Sequence, residues 1–209
     1  MMDRQITNIT AQQRNPNRVN IFLDGSFAFS LDRLNAAWLK KGQQLSEAEI
    51  DRLLSKDEFT VALTKALRFL GYRPRSRQEM ERYLQGKGYE NSLIRAVLER
   101  LEADKLLNDS EFASQWIENR QVFRPRSQRM MKMELRRKGL SDGVIEDAFL
   151  KAGLQELELA LAAGRKLMGH YQKLKPLEFR RKLAAALQRR GFSYDTVNEC
   201  LNQLQPELP

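Results

Sequence analysis

The chain has 209 residues, 42% apolar and 30% charged, with a mean hydropathy of −0.59. That is enough apolar material for a packed core and too much charge for an integral membrane protein, and no apolar run approaches the roughly 18 residues a span needs. One cysteine permits no internal disulfide, which fits a reducing, cytoplasmic setting, and the start MMDRQITNIT lacks the basic and then apolar regions of a signal peptide.

The first 30 residues read as β. The runs ITNIT, RVNIFL and SFAFSL are short, partly alternating and rich in Ile, Val and Phe. Asp24-Gly25 between the second and third runs signals a two-residue hairpin turn, so a three-stranded meander is expected. A helix is expected from about Leu31 to Lys41, ended by Gly42. Ser46 and Glu49 have capping-box spacing and open another helix. Residues 1–56 form a β-rich extension with helices on this reading.

From residue 57 onward the pattern is helical and repeats. RPRSRQEMERYLQGKGYENSLIRAVL lies over RPRSQRMMKMELRRKGLSDGVIEDAF without a gap. Met80 falls on Met131, Leu84 on Leu135, Gly88 on Gly139, Ile94 on Ile145 and Leu98 on Phe149. After a further shift, Leu183, Leu187, Gly191, Val197 and Leu201 continue the columns, which marks a repeat array. Each unit reads as three helices. In the first, helix 1 covers about 57–70, Ser76 caps helix 2 with Glu79 completing a capping box, and helix 3 covers about 91–104. Pro176 stands in the first turn of helix 2 of the third unit, where a missing N–H costs little. The expected fold is mainly α: a curved array of three tandem three-helix repeats, with a small N-terminal three-stranded β meander plus helices. The repeats span 57–107, 108–153 and 154–209, and stacking them enlarges three small cores.

Catalytic signatures are absent from the sequence: there is no phosphate-binding glycine loop, and one histidine with one cysteine does not build a zinc site. No enzyme activity, cofactor or metal is expected. His170 reads as a helix-end or surface residue, and Cys200 as a buried apolar one.

The net charge of +9 is unevenly placed. Residues 1–60 balance, with eight Lys/Arg and eight Asp/Glu, so the excess lies beyond them. Residues 120–139 carry eight basic side chains and one acid; residues 165–190 carry nine and one. Such a concentration suggests an anionic partner, nucleic acid or an acidic protein surface; solvated basic helix faces account for the same counts. Arg129, Lys132 and Arg136 share one face of helix 2 of the second unit. Met133 lies among them, as a contact residue or an inter-repeat core residue. A sequence-reading helix-turn-helix is disfavoured, because helix 3 begins with acids in two units. The expected scarcity of exposed aromatics near the basic faces argues against a single-strand stacking platform.

The segments RPRSRQEMERYLQGKGY, LNDSEFASQWIENR, LRRKGLSDGVIEDAF and RRKLAAALQRRGFSYDTV resemble the RecX family, modulators of the bacterial RecA recombinase. The resemblance covers essentially residues 57–204, and IFLDGSFAFSL looks like the N-terminal extension of some members. It implies a non-enzymatic, monomeric, cytoplasmic regulator of homologous recombination, DNA repair and the SOS response. Family members dock in the groove of the RecA–DNA filament across neighbouring protomers and inhibit ATP hydrolysis, strand exchange and coprotease activity. The family offers no catalytic set to carry over. The expected partner-binding residues are therefore the basic positions of the repeat columns: Arg73, Arg75, Arg124, Arg126, Arg129, Lys132, Arg136, Arg137, Arg181, Lys182, Arg189 and Arg190. They serve the filament, with weak contact to single- or double-stranded DNA. The alternative is a nonspecific nucleic-acid-binding architectural protein. In the twice-occurring RPRS, Pro and Ser suit a structural joint and the arginines a partner; the third unit reads LKPLEF instead.

Overall fold

A computed structural model describes residues 3–204. The chain forms strands β1 (Arg4–Ala11), β2 (Arg18–Leu23), β3 (Ser26–Asp32) and β4 (Gln44–Leu45). Helices α1 (Glu47–Leu70), α2 (Arg77–Gln85), α3 (Asn91–Ala103), α4 (Asp109–Phe123) and α5 (Gln128–Arg137) follow. The last four are α6 (Asp142–Ala152), α7 (Glu156–Met168), α8 (Pro176–Arg189) and α9 (Tyr194–Leu204). The protein is mainly α with N-terminal strands. It divides into two compact units. The first holds the chain through Arg73 together with Met80–Ala103; the second holds Pro74–Glu79 and the chain from Asp104 onward.

In the first unit the sheet has the order β3-β2-β1-β4 and is antiparallel throughout. The hairpin turn forms where the sequence places it: Leu23 pairs with Ser26, and Asp24 and Gly25 take φ of 51° and 87°. A fourth strand, the two-residue β4, joins the expected three by pairing with Arg4 and Gln5. Along β2, Val19, Ile21 and Leu23 turn inward at alternate positions, onto a core with Ile6, Leu31, Leu45 and Leu53.

Two expectations for this region fail. The helix over residues 31–41 is absent: Leu31 and Asp32 complete β3, turns follow over residues 33–38, and Leu39 and Lys40 are irregular. Asp32 Oδ1 accepts the Leu34 N–H, and Asn35, 5% exposed, sends its amide to Asp57 and Thr60. The Asp32 carboxylate offers the backbone an alternative to helical bonding, and Asn35 ties the turn to side chains of α1. The helices expected at Ser46 and at 57–70 are one 24-residue helix, α1, which runs through the expected boundary at residue 56. No Gly or Pro interrupts Glu47–Leu70, and the capping box opens it as read: Glu49 N donates to Ser46 Oγ at 3.3 Å and Ser46 N to Glu49 Oε2 at 2.8 Å. Asp57, buried on α1, ties the helix to the sheet. It accepts from Arg18 Nη2 at 2.9 Å, Asp32 N at 2.5 Å and Asn35 Nδ2 at 3.4 Å.

The repeat columns are core. Met80, Leu84, Met131, Leu135, Leu183 and Leu187 are fully buried, and the Ile94, Ile145, Val197 column is at most 2% exposed. In the second unit α4 packs on α6 and α7 on α9, and one apolar cluster runs from Phe112 to Leu204. Cys200 lies in it; burial pushes its thiol up to about 11, so it stays protonated and unreactive at neutral pH.

Candidate partner-binding surface

The segment Pro74–Glu79 and the second RPRS are built alike within the second unit. Ser76 and Ser127 are both fully buried. Each hydroxyl caps its own helix, accepting Glu79 N or Met130 N at 3.2 Å. Each serine also grips the last residue before a glycine turn one repeat further on. Ser76 Oγ donates to Lys138 O at 2.6 Å, and Ser127 N donates to Arg190 O at 3.1 Å. The glycines that follow, Gly139 and Gly191, have φ of 88° and 93°. A Cβ on Gly139 would come within 3.0 Å of Gln78, and one on Gly191 within 3.0 Å of Met130 and Ser127. Only glycine supplies both the positive φ and the close approach. At Gly88, the same column of the first repeat, a Cβ would meet open space. In the third repeat, residues 176–179 belong to α8, with Pro176 in the first turn and no side-chain cap bond. The third repeat thus starts this helix with proline in place of the capped RPRS.

Electrostatics sort the cations around these joints. Glu134, the one acid of residues 120–139, has a side chain only 14% exposed. Its carboxylate collects Trp116 Nε1 at 2.9 Å, Arg120 Nε at 2.7 Å and Arg126 Nη1 at 2.5 Å. Three donors offset the cost of burying the charge. Arg120 and Lys138 also lie over the Trp116 ring, 4.4 and 5.2 Å from its centre, and Lys138 Nζ reaches Glu79 at 2.5 Å. Glu134, Arg120, Trp116 and Lys138 were not among the expected site residues. A lone carboxylate amid eight cations is the sequence signal that singles it out.

The twelve expected residues fall into distinct environments. Arg126 is held by Glu134. Lys132 pairs with Glu146 at 2.5 Å and lies over the Phe149 ring; Arg136 pairs with Asp142 at 2.6 Å and Lys182 with Glu178 at 3.1 Å. Arg190 Nη1 donates to Pro125 O at 3.2 Å. The pKa of Arg190 is lowered, by burial first and then by the neighbouring charges of Arg126 and Arg124, with Tyr171 opposing. Arg75 is half-buried, and Arg73 is exposed in the first unit. Arg124, Arg129, Arg137, Arg181 and Arg189 are exposed and make no ion pair among the described residues. Met133, 37% exposed, belongs to the surface. The expected scarcity of exposed aromatics does not hold: Tyr72 and Phe123, each directly before an arginine, are 85% and 67% exposed. Among the described residues no cluster of His, Cys, Asp and Glu is able to hold a metal ion, and no helix is long and apolar enough to cross a membrane.

Four family models match the chain. The RecX N-terminal domain matches residues 4–46, and the first, second and third three-helix domains of RecX match 62–101, 108–148 and 155–201. The chain belongs to the RecX family. Regulatory protein RecX of Bacillus subtilis (strain 168) is 34% identical over 205 residues, covering 97% of this chain and 78% of that one. The protein of the same description from Bacillus licheniformis has the same identity and coverage. A crystal structure of regulatory protein RecX aligns with a TM-score of 0.70 at 24% identity, covering 95% of this chain and 99% of that one. RecX from Lactobacillus salivarius aligns with a TM-score of 0.60 at 23% identity over 72% and 99%. Both structures share the fold.

Proposed function

We propose that this chain is a regulator, mainly a negative one, of the RecA recombinase. It binds in the groove of the RecA–DNA filament across neighbouring protomers. There it holds down ATP hydrolysis, strand exchange and coprotease activity by blocking filament growth or promoting disassembly. It acts as a monomer in the cytoplasm and needs no cofactor. Membership of the RecX family supports the reading. The structural observation that carries it is the cationic surface of α5 and α8, where Arg129, Arg137, Arg181 and Arg189 remain exposed after acids of the same chain have taken up their neighbours. Such a surface shifts the assembly equilibrium only if it prefers one filament state to another. Repeated contacts add through effective concentration, so weak individual contacts suffice.

The deciding measurement is RecA ATPase on single-stranded DNA with this protein well below one molecule per RecA. Inhibition at that ratio is expected. Inhibition only at amounts that coat the DNA would favour the competing reading, a nonspecific nucleic-acid-binding architectural protein. Exposed Tyr72 beside Arg73 favours that competitor, since aromatic rings stack on unpaired bases. A steep fall of DNA affinity with salt would mark phosphate contacts.

A further inference from the structure

We propose that the partner-facing surface of the second unit is one ridge made of Arg181 and Arg189 on α8 and Arg129 and Arg137 on α5, with Phe123 and Met133 beside it. Its occupant is an acidic protein surface that also carries apolar side chains. The inference rests on the filament reading and names the residues and chemistry of that contact.

The ridge follows from the joint. Ser127 N donates to Arg190 O, so the C-terminal end of α8 meets the N-terminal end of α5. Arg189 is the last residue of α8, and Arg129 the second of α5. Arg129 and Arg137 occupy the same columns as Arg181 and Arg189, with Met133 and Ala185 between the members of each pair. All four are exposed, and none has an ion pair among the described residues. The neighbouring columns behave differently. Lys132 and Arg136 are drawn to acids on α6, and Lys182 to Glu178 one turn back. The chain thus neutralises one set of cations and leaves the other open.

Like charge is also gathered at the joint, where Arg190 is surrounded by Arg126 and Arg124 and loses proton affinity through burial and their charges. An incoming carboxylate relieves that repulsion. The apolar neighbours decide between carboxylate and phosphate. Phe123 is 67% exposed, and Met133 stands between two arginines of the ridge. Arg120, one turn before Phe123, bonds to Glu134, the residue after Met133, which holds the end of α4 against α5. Methionine has no π-face for a base, and a phosphate chain does not reward aliphatic surface. Arginine, aromatic side chains and methionine together are the composition of protein interfaces.

The test uses the full chain and RecA filaments assembled on single-stranded DNA, with bare single-stranded DNA in parallel. The variants are Arg129→Glu with Arg137→Glu, and Phe123→Ala with Met133→Ala. Each pair is expected to weaken filament binding tenfold or more with thermal melting unchanged, and the apolar pair to leave bare-DNA affinity unchanged. Unchanged filament binding by either pair would overturn the proposal. Equal losses on filament and bare DNA would do so too, and would assign the ridge to phosphate. If a pair melts early, Arg181→Gln with Arg189→Gln on the other helix is read by the same criteria. Wild-type protein that fails to bind the filament sinks the filament reading itself, an outcome distinct from wild-type binding that the variants leave intact.

Discussion

Asp57 in the first unit and Glu134 in the second hold similar positions with different neighbours. Both are carboxylates shielded from solvent, and both collect three donors. Asp57 takes one guanidinium, one backbone N–H and one amide, and ties α1 to the sheet. Glu134 takes two guanidiniums and an indole, in a stretch where cations outnumber acids eight to one. The first carboxylate completes a hydrogen-bond set that the fold leaves open. The second withdraws cations from the surface. A buried acid in a balanced region is a structural tie, whereas one in a cationic region also sets which charges stay exposed.

Breaking the first should cost most. Asp57→Ala leaves Arg18, Asp32 N and Asn35 without their acceptor, and a loss of about 3 kcal/mol is expected from chemical denaturation. Loss below about 1 kcal/mol would mean that water replaces the carboxylate. Gly191→Ala should cost about 2 kcal/mol, because it adds a clash with Met130 and Ser127 to the strain of positive φ. Gly88→Ala, with open space at the same column, should cost about 1 kcal/mol, for the strain alone. Equal costs would show that the joint is not gripped in solution. Glu134→Gln should cost roughly 1.5 kcal/mol, the worth of charged hydrogen bonds. The same variant releases Arg120 and Arg126, so its affinity for a polyanion such as heparin should rise severalfold; an unchanged affinity would refute the withdrawal of charge. Arg136→Ala, which breaks an exposed pair with Asp142, should change stability by less than about 0.5 kcal/mol in the same denaturation assay.

Much of the fold was legible because burial imposes a period. The Met80, Leu84, Ile94 and Leu98 columns recur with the spacing of helices that share a core, and all of them are buried. The hairpin at Asp24-Gly25 and the caps at Ser46, Ser76 and Ser127 were legible because their bonds close within three residues or depend on a glycine φ. The residues after Leu31 were misread because Asn35 is satisfied by Asp57 and Thr60, more than 20 positions away. For the candidate surface, composition located the basic segments but did not separate their members. Lys132 and Arg137 look alike in sequence; one meets Glu146 from α6 and the other meets no acid among the described residues. The exposure of Phe123 was equally hidden, since a large aromatic at a helix end is as readily buried.

The sequence by itself determined the repeat, its register, the two capped RPRS joints and the concentration of positive charge, because each depends on local spacing or on a count. The tertiary structure decided that the serines of those joints also grip the turn one repeat further on. It decided that Glu134 and its acidic counterparts neutralise one set of cations, and that the arginines of α5 and α8 stay open. These depend on distances between residues far apart in the chain, and at a few ångströms those distances choose between an ion pair and an exposed charge.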